Sequence, residues 1–316
     1  MIKKSLKAFT YVIVTWCPRG LVVLMAKLIR KHDRLKRLFD PNEIRKHSSK
    51  NFRPKFLKAK GIHGEELYVD FNDHVGYRFY ILGFFDNVPF EICKKIGFQN
   101  LVLIDIGSNI GAISIPIAMN GARVVSIEPQ VALVKELIRN YEMNSLEGFI
   151  VLPIALDNVS SGQLRNLSIH SGNKGASSFF SKWNPGMRES ISKMVPTYKF
   201  DSVVYPLLQS DIDKNLDFVV KIDVEGFENE VIEGMTKFIR EKRPLLILEH
   251  RPDLNVLTKW PAELTKQNYS FFGVKLVNGI DGIKTVKLVD FDSDKKYENV
   301  LGIPSERKLL LESKFL

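Results

Sequence analysis

Between residues 101 and 129 the sequence LVLIDIGSNIGAISIPIAMNGARVVSIEP admits little besides a strand, a glycine turn, a helix and a second strand. Leu101 to Ile106 is an apolar run broken only by Asp105, which suits a parallel strand covered on both faces and ending at a site. Gly107 and Gly111 permit a tight turn and close approach of backbone to a ligand. Ile110 to Met119 continues as a helix, and Arg123 to Ile127 forms a second strand with Glu128 at its end. An acid after the second strand of such a unit suits a nucleoside site, because one carboxylate can accept from both ribose hydroxyls.

The turn itself narrows the ligand. A dinucleotide site needs G-x-G-x-x-G, whereas the turn reads Gly107-Ser-Asn-Ile-Gly111 and follows Asp105. The glycine that admits a pyrophosphate is missing, and an acid beside the turn repels phosphate but attracts a cationic amino-acid group. S-adenosylmethionine, with an ammonium, a sulfonium and no phosphate, fits better than NAD. We therefore assign Asp105, Gly107, Asn109 and Gly111 to a cofactor turn and Glu128 to the ribose. Asp157, shortly after a third strand VLPIAL, either faces the adenine amino group or forms a turn before Asn158.

Two more strands follow. Asp217 to Val224 (DFVVKIDV) reads as another buried strand and runs into Glu225-Gly226, with a helix over Glu228 to Glu241; Pro244 to Leu248 ends in Glu249-His250. Acids thus end four strands, where open α/β sheets bind ligands. Lys221, Asp223 and Glu225 alternate and so share one face. They form either a structural ion network or a catalytic group in which Asp223 and Glu225 orient an acceptor hydroxyl or take its proton. His250 is a candidate general base for the hydroxyl proton, a role for which histidine is the natural residue type, or a bystander. The acids offer hard-cation ligands, but no spacing demands a metal, and none is expected. Upstream, residues 62–97 read as two short strands, GEELYVDF and YRFYILGF, then a helix, PFEICKKIG. Ser160 to Pro206 is too long for a bare connection and reads as an inserted hairpin and lid over the acceptor pocket, whose Phe179, Phe180 and Trp183 stack on a sugar ring or fill the lid's own core.

Charge divides the chain. The net +10 resolves into 17 Lys and Arg against three acids in residues 1–60, and 29 against 33 beyond. The basic part is an N-terminal extension, and the mildly acidic remainder disfavours nucleic acid as a partner. Residues 8–29 are mostly apolar but interrupted by Pro18-Arg19-Gly20; an Arg near the centre of a span costs roughly 2.5–3.5 kcal/mol. Residues 1–37 therefore fit a segment lying on an anionic membrane surface, or one packed on the protein's own core, in a cytoplasmic protein. The two cysteines, Cys17 and Cys93, supply neither a disulfide framework nor a zinc site.

The motifs IDIGSNIGAISI, VVSIEP, PIALDN, GASSF, YKFDSVV, VVKIDVEGFENEVIEG and RPLLILEH occur in that order and resemble the FkbM family of methyltransferases over roughly residues 80–305. Lys199 and Phe200 depart from the family's usual Thr and Leu. The resemblance implies a class I methyltransferase fold: an α/β, Rossmann-like, seven-stranded, mostly parallel sheet with helices on both faces and a C-terminal antiparallel hairpin near residues 284–304. It also implies an O-methyltransferase dependent on S-adenosylmethionine, acting on a hydroxyl of a sugar, polysaccharide or related small-molecule acceptor. The organisation expected is an extension over 1–60, lead-in elements over 61–97, and a methyltransferase domain over 98–316. A non-catalytic scaffold of this fold and an RNA methyltransferase remain as alternatives.

Overall fold

The computed structural model describes residues 56–159, 162–170, 173–179, 190–250, 260–278 and 284–309. The membrane-surface reading of residues 1–37, and Phe180 and Trp183 of the insertion, lie outside these residues.

In chain order the elements are β1 (Phe56–Lys60), β2 (Glu66–Asp70), α1 (His74–Leu82), α2 (Val88–Ile96), β3 (Leu101–Ile106), α3 (Ser114–Met119), β4 (Arg123–Ile127) and α4 (Val131–Met143). Then come β5 (Ile150–Leu152), β6 (Ala155–Leu156), β7 (Gln163–His170), β8 (Ser190–Tyr198), α5 (Phe200–Val203), α6 (Gln209–Asp213) and β9 (Asp217–Ile222). The chain finishes with α7 (Glu228–Gly234), α8 (Thr236–Lys242), β10 (Leu245–His250), α9 (Trp260–Lys266), β11 (Tyr269–Asn278), β12 (Lys284–Asp290) and β13 (Tyr297–Pro304).

Eight strands form one sheet in the order β12-β11-β13-β10-β9-β3-β4-β5. The five from β10 to β5 are parallel, and β13, β11 and β12 are antiparallel to their neighbours. This is the expected class I methyltransferase sheet with one further strand, β12, on its edge. The late hairpin is β11 with β12. Residues 284–304 do not pair with each other, because β13 returns between β10 and β11 and bonds to both.

Alternation along the central strands explains the two layers of helices. Leu101 and Leu103 pack with the buried residues of α1 to α4, while Val102, Ile104 and Ile106 pack with those of α5, α7, α8 and α9. A strand apolar at every position is stable only with both faces covered. One expectation fails on the first of these faces: Tyr77 to Leu82 are helical, not a strand. Asp73 caps α1 by accepting from Val75 N, Gly83 ends it in the left-handed conformation, and Val75, Tyr77, Phe79, Tyr80 and Ile81 are all buried. Capping and burial override the strand preference of the aromatics. The helix expected over Glu228 to Glu241 is likewise two helices, broken at Met235.

The stretch VLPIAL divides. Ile150–Leu152 joins the main sheet, and Ala155–Leu156 pairs instead with β8, itself paired with β7 in a long antiparallel hairpin. Within the inserted stretch, β7 and β8 are thus antiparallel partners. The main-sheet order reverses between β3 and β9, so a crevice opens at their carboxyl ends, where such sheets hold ligands.

Candidate functional site

Two clefts open on that crevice and meet at two carboxylates. The first, of about 550 Å³, is lined by Gly107, Asn109, Glu128 and Gln130, by Ile154, Leu156 and Leu167, by Gly175, Ser177 and Phe179 of the insertion, and by Asp223, Glu225 and Phe227. The second, of about 1020 Å³, is bounded by Arg78, Phe85, Asp86, Lys221, Ile247, Glu249, Lys296 and Asn299, and again by Asp223 and Glu225. Among the described residues no Lys or Arg lines the first cleft, whereas three carboxylates do.

Glu128 organises the first cleft. Its Oε2 accepts from Asn109 N at 3.0 Å and its Oε1 from Gln130 N at 2.9 Å, tying the end of β4 to the glycine turn. Burial pushes its carboxyl up to about 7, and the two backbone donors offset only part of that. Asn109 adopts φ +53°, tolerable for Asn, whose side chain here accepts from Ile110 N. Gly107 is obligatory for space as well as angle: a Cβ there would lie 2.0 Å from the carbonyl oxygen of Asp223. Gly111 does not line the cleft; its bare Cα leaves room for Ile115 and Leu137.

Asp105 sits beneath the cleft, fully buried, with Lys221 Nζ 3.9 Å from its Oδ1. Lys221 reaches Asp223 Oδ2 at 3.0 Å. Burial works against the Lys221 ammonium, but Asp223 and Asp105 outweigh it and hold its pKa above the ordinary lysine value. The expected Lys221–Asp223 pairing is therefore present, and its carboxylate faces both clefts. Glu225 is held at φ +52°, an angle costly for a non-glycine residue. Ser178 Oγ donates to the Glu225 carbonyl at 2.8 Å, and Glu228 Oε1 accepts from Gly226 N at 3.1 Å, so the turn is fixed from two sides. Burial pushes Glu228 up to about 7.

Two residues expected at the site are turned away from it. Asp157 lines neither cleft: its Oδ2 pairs with Arg165 Nε at 2.5 Å and its Oδ1 accepts from Asn158 N. It shapes the cleft only indirectly, since the Arg165 guanidinium lies 5.4 Å over the Phe227 ring. The turn-forming reading of Asp157 is the one the structure supports, and its assignment to adenine is corrected. His250 is corrected too. Alternation along β10 sends Ile247 and Glu249 into the second cleft and His250 to the opposite face, where Nε2 bonds the Ser293 carbonyl at 2.8 Å and the ring packs edge-on to Trp260. A base role would require it to leave a buried aromatic cluster.

The sequence also concealed partners. Lys174, Ser178 and Arg78 come to the site from distant parts of the chain, whereas Gln130 and Glu228 are joined to it by neighbours two residues away; only the motifs GASSF and VEGFENE, and the acid spacing in the latter, hinted at Ser178 and Glu228. Lys174 is the clasp of the insertion. Its backbone N donates to Asp73 Oδ1 at 2.8 Å, its carbonyl accepts from Gln130 Nε2 at 3.0 Å, and its ammonium lies 3.2 Å from Glu136 and 3.6 Å from Asp70. Burial opposes that charge, yet Glu136, Asp73 and Asp70 together hold its pKa above the ordinary value. Lys174→Met leaves three carboxylates crowded without their cation and should free the 173–178 turn by about 1.5–3 kcal/mol. Faster amide hydrogen exchange confined to that turn is the expected result; unchanged protection there would refute the clasp.

Among the described residues no group of three or more His, Cys, Asp or Glu is placed to hold a metal, and no helix is long and apolar enough to cross a membrane. Residues 105–271 match the Methyltransferase FkbM domain family. The chain belongs to that family. Comparison with curated proteins gives no match. Solved structures similar to this FkbM chain include methyltransferase FkbM from Methylobacillus flagellatus KT, at 15% identity and TM-score 0.35, covering 64% of this chain and 42% of that one. This chain thus spans less than half the length of that neighbour. Magnesium protoporphyrin IX methyltransferase from Synechocystis PCC 6803 is 12% identical with TM-score 0.37, covering 69% and 76%. A SAM-dependent methyltransferase from Agrobacterium tumefaciens is 10% identical with TM-score 0.41, covering 81% and 72%.

Proposed function

We propose that this FkbM domain is an S-adenosylmethionine-dependent O-methyltransferase whose acceptor is a hydroxyl of a sugar or glycan-like molecule. The observation that carries the reading is the charge of the first cleft: among the described residues Glu128, Asp223 and Glu225 line it and no Lys or Arg does. Such a lining suits a ligand with an ammonium, a sulfonium and no phosphate, and it disfavours NAD and nucleic acid. Gly107 leaves the backbone bare where the ligand would pass, Glu128 presents carboxylate oxygens to a ribose, and Leu156, Leu167 and Phe179 offer an apolar berth for a flat base.

When bound, adenosylmethionine supplies a methyl group that leaves with the C–S bonding pair returning to sulfur as the acceptor oxygen forms the new C–O bond. The protein's part is alignment and exclusion of water. Asp223 and Glu225 line both clefts, so a hydroxyl entering from the second is met by carboxylates at the boundary with the first. Asp223, oriented by Lys221 at 3.0 Å, accepts the hydrogen bond and takes the proton as the oxygen attacks. Lys221 and Asp105 keep that carboxylate from swinging away.

Calorimetric titration with adenosylmethionine and with NAD tests this. Glu128→Gln should weaken adenosylmethionine about 10- to 100-fold, the loss of charge-assisted hydrogen bonds. Because burial raises Glu128 to about 7, the free protein carries it largely protonated in mild acid and ionised in mild base. Hydroxyl donors prefer the ionised form, so affinity should rise as pH rises through about 7 in the wild type and stay flat in Glu128→Gln. Tighter binding of NAD, or no binding of adenosylmethionine to folded protein, would sink the proposal.

A further inference from the structure

Besides Lys221, which Asp223 and Asp105 hold, two cations stand in the second cleft, which the proposed function gives to the acceptor, and a role for them in binding rests on that reading. Arg78 projects from α1 into the cleft, with its guanidinium carbon 5.3 Å from the Phe85 ring centroid. Its Nε is buried and has no hydrogen-bond partner among the described residues. Among those residues neither Arg78 nor Lys296, exposed at the cleft's rim, takes part in an ion pair.

The carboxylates around them are mostly committed elsewhere. Asp86 is the acid whose charge acts on Arg78, but its Oδ1 accepts from Val88 N at 2.9 Å and its Oδ2 from Asn299 Nδ2 at 2.8 Å. Asp223 is taken by Lys221. Glu225 and Glu249 also line the cleft, each with contacts of its own, and Glu298 is exposed to solvent. A half-covered guanidinium with no acceptor is costly, and a group left so in a cleft calls for a ligand that completes it. Its planar fork matches the paired oxygens of a carboxylate or phosphate, and the Phe85 ring holds that plane in place.

We propose that Arg78, assisted by Lys296, binds an oxyanion carried by the acceptor, so that the molecule methylated is an acidic, hydroxylated one and not a neutral sugar. Asp223 then handles the hydroxyl while Arg78 fixes the far end, and the two together choose which hydroxyl faces the methyl donor.

The probes are D-glucuronate, glucose 6-phosphate and glucose, titrated into the whole protein with and without S-adenosylhomocysteine. At least one of the two acids should bind roughly tenfold or more tightly than glucose, as charge-assisted bidentate pairing implies. Arg78→Met should erase that difference and leave glucose unchanged; Lys296→Met should reduce it in part. Preference for glucuronate identifies a carboxylate acceptor, and preference for glucose 6-phosphate a phosphorylated one. Equal or tighter binding of glucose, no binding of either acid, or discrimination that survives Arg78→Met overturns the inference. Unchanged adenosylmethionine affinity in Arg78→Met shows that the variant is folded. Failure of the wild type to bind adenosylmethionine strikes the donor reading alone, because the anion titration without nucleoside is read independently.

Discussion

Gly107→Ala is expected to lower the thermal midpoint by roughly 5–10 °C and to abolish ligand binding at the first cleft. The added Cβ falls 2.0 Å from the Asp223 carbonyl oxygen, a backbone atom that cannot yield. Asp223 N donates to Ile106 O at 3.1 Å, so β3 and the end of β9 are locked at this point and must part together. The left-handed φ of +86° adds a further cost. Overpacking at about 1–3 kcal/mol and left-handed strain at about 1–2 kcal/mol give a total of order 2–5 kcal/mol, a large share of a domain's stability. Gly64→Ala separates the two terms, since Gly64 shares the left-handed angle, at φ +94°, with nothing within 4 Å of its would-be Cβ. Thermal melting of both variants decides the matter: equal losses would mean that the contact with Asp223 is unimportant.

Asp223→Asn should reduce methyl transfer about 10²- to 10⁴-fold, the usual worth of a positioned general base. Donor affinity should change far less, because Glu128, Asn109 and the apolar wall hold the rest of that ligand. Asn keeps the shape and an oxygen for Lys221, so the buried ammonium retains a partner beside Asp105, 3.9 Å away. Asp223→Ala would confuse the reading by leaving Lys221 short of charge. Single-turnover rates with donor saturating are the measurement. A variant that transfers methyl at the wild-type rate would pass the proton's acceptance to Glu225, whose backbone angle of φ +52° already marks it as a residue held under strain at the boundary of the clefts.

Much of this site is written locally. The run from Leu101 to Ile106, with its glycines and with Glu128 after the next strand, specifies a β-α-β unit because period, turn geometry and strand ends are matters of neighbouring residues. The same is true of Asp223, since Lys221, Asp223 and a strand's end are two residues apart and share a face whatever the rest of the chain does. That both faces of the sheet must be covered, too, follows from strands that are apolar on both sides. Local pattern misjudged YRFYIL, where a cap at Asp73 and a left-handed Gly83 favoured a helix over aromatic strand preference.

What only the tertiary structure decided is which polar groups are already occupied. His250 and Glu249 are adjacent, and one residue's step along a strand sends one into a cleft and the other against Trp260. Asp157 is claimed by Arg165, and Lys174 by acids from β2, α1's cap and α4. Arg78, by contrast, arrives in the second cleft with its buried Nε lacking a hydrogen-bond partner among the described residues. A sequence states where a charge lies along the chain. Whether that charge is satisfied depends on residues tens of positions away, and on a sheet order in which β13 slips between β10 and β11; satisfaction of buried charge is what separates a structural ion pair from a site that waits for a ligand.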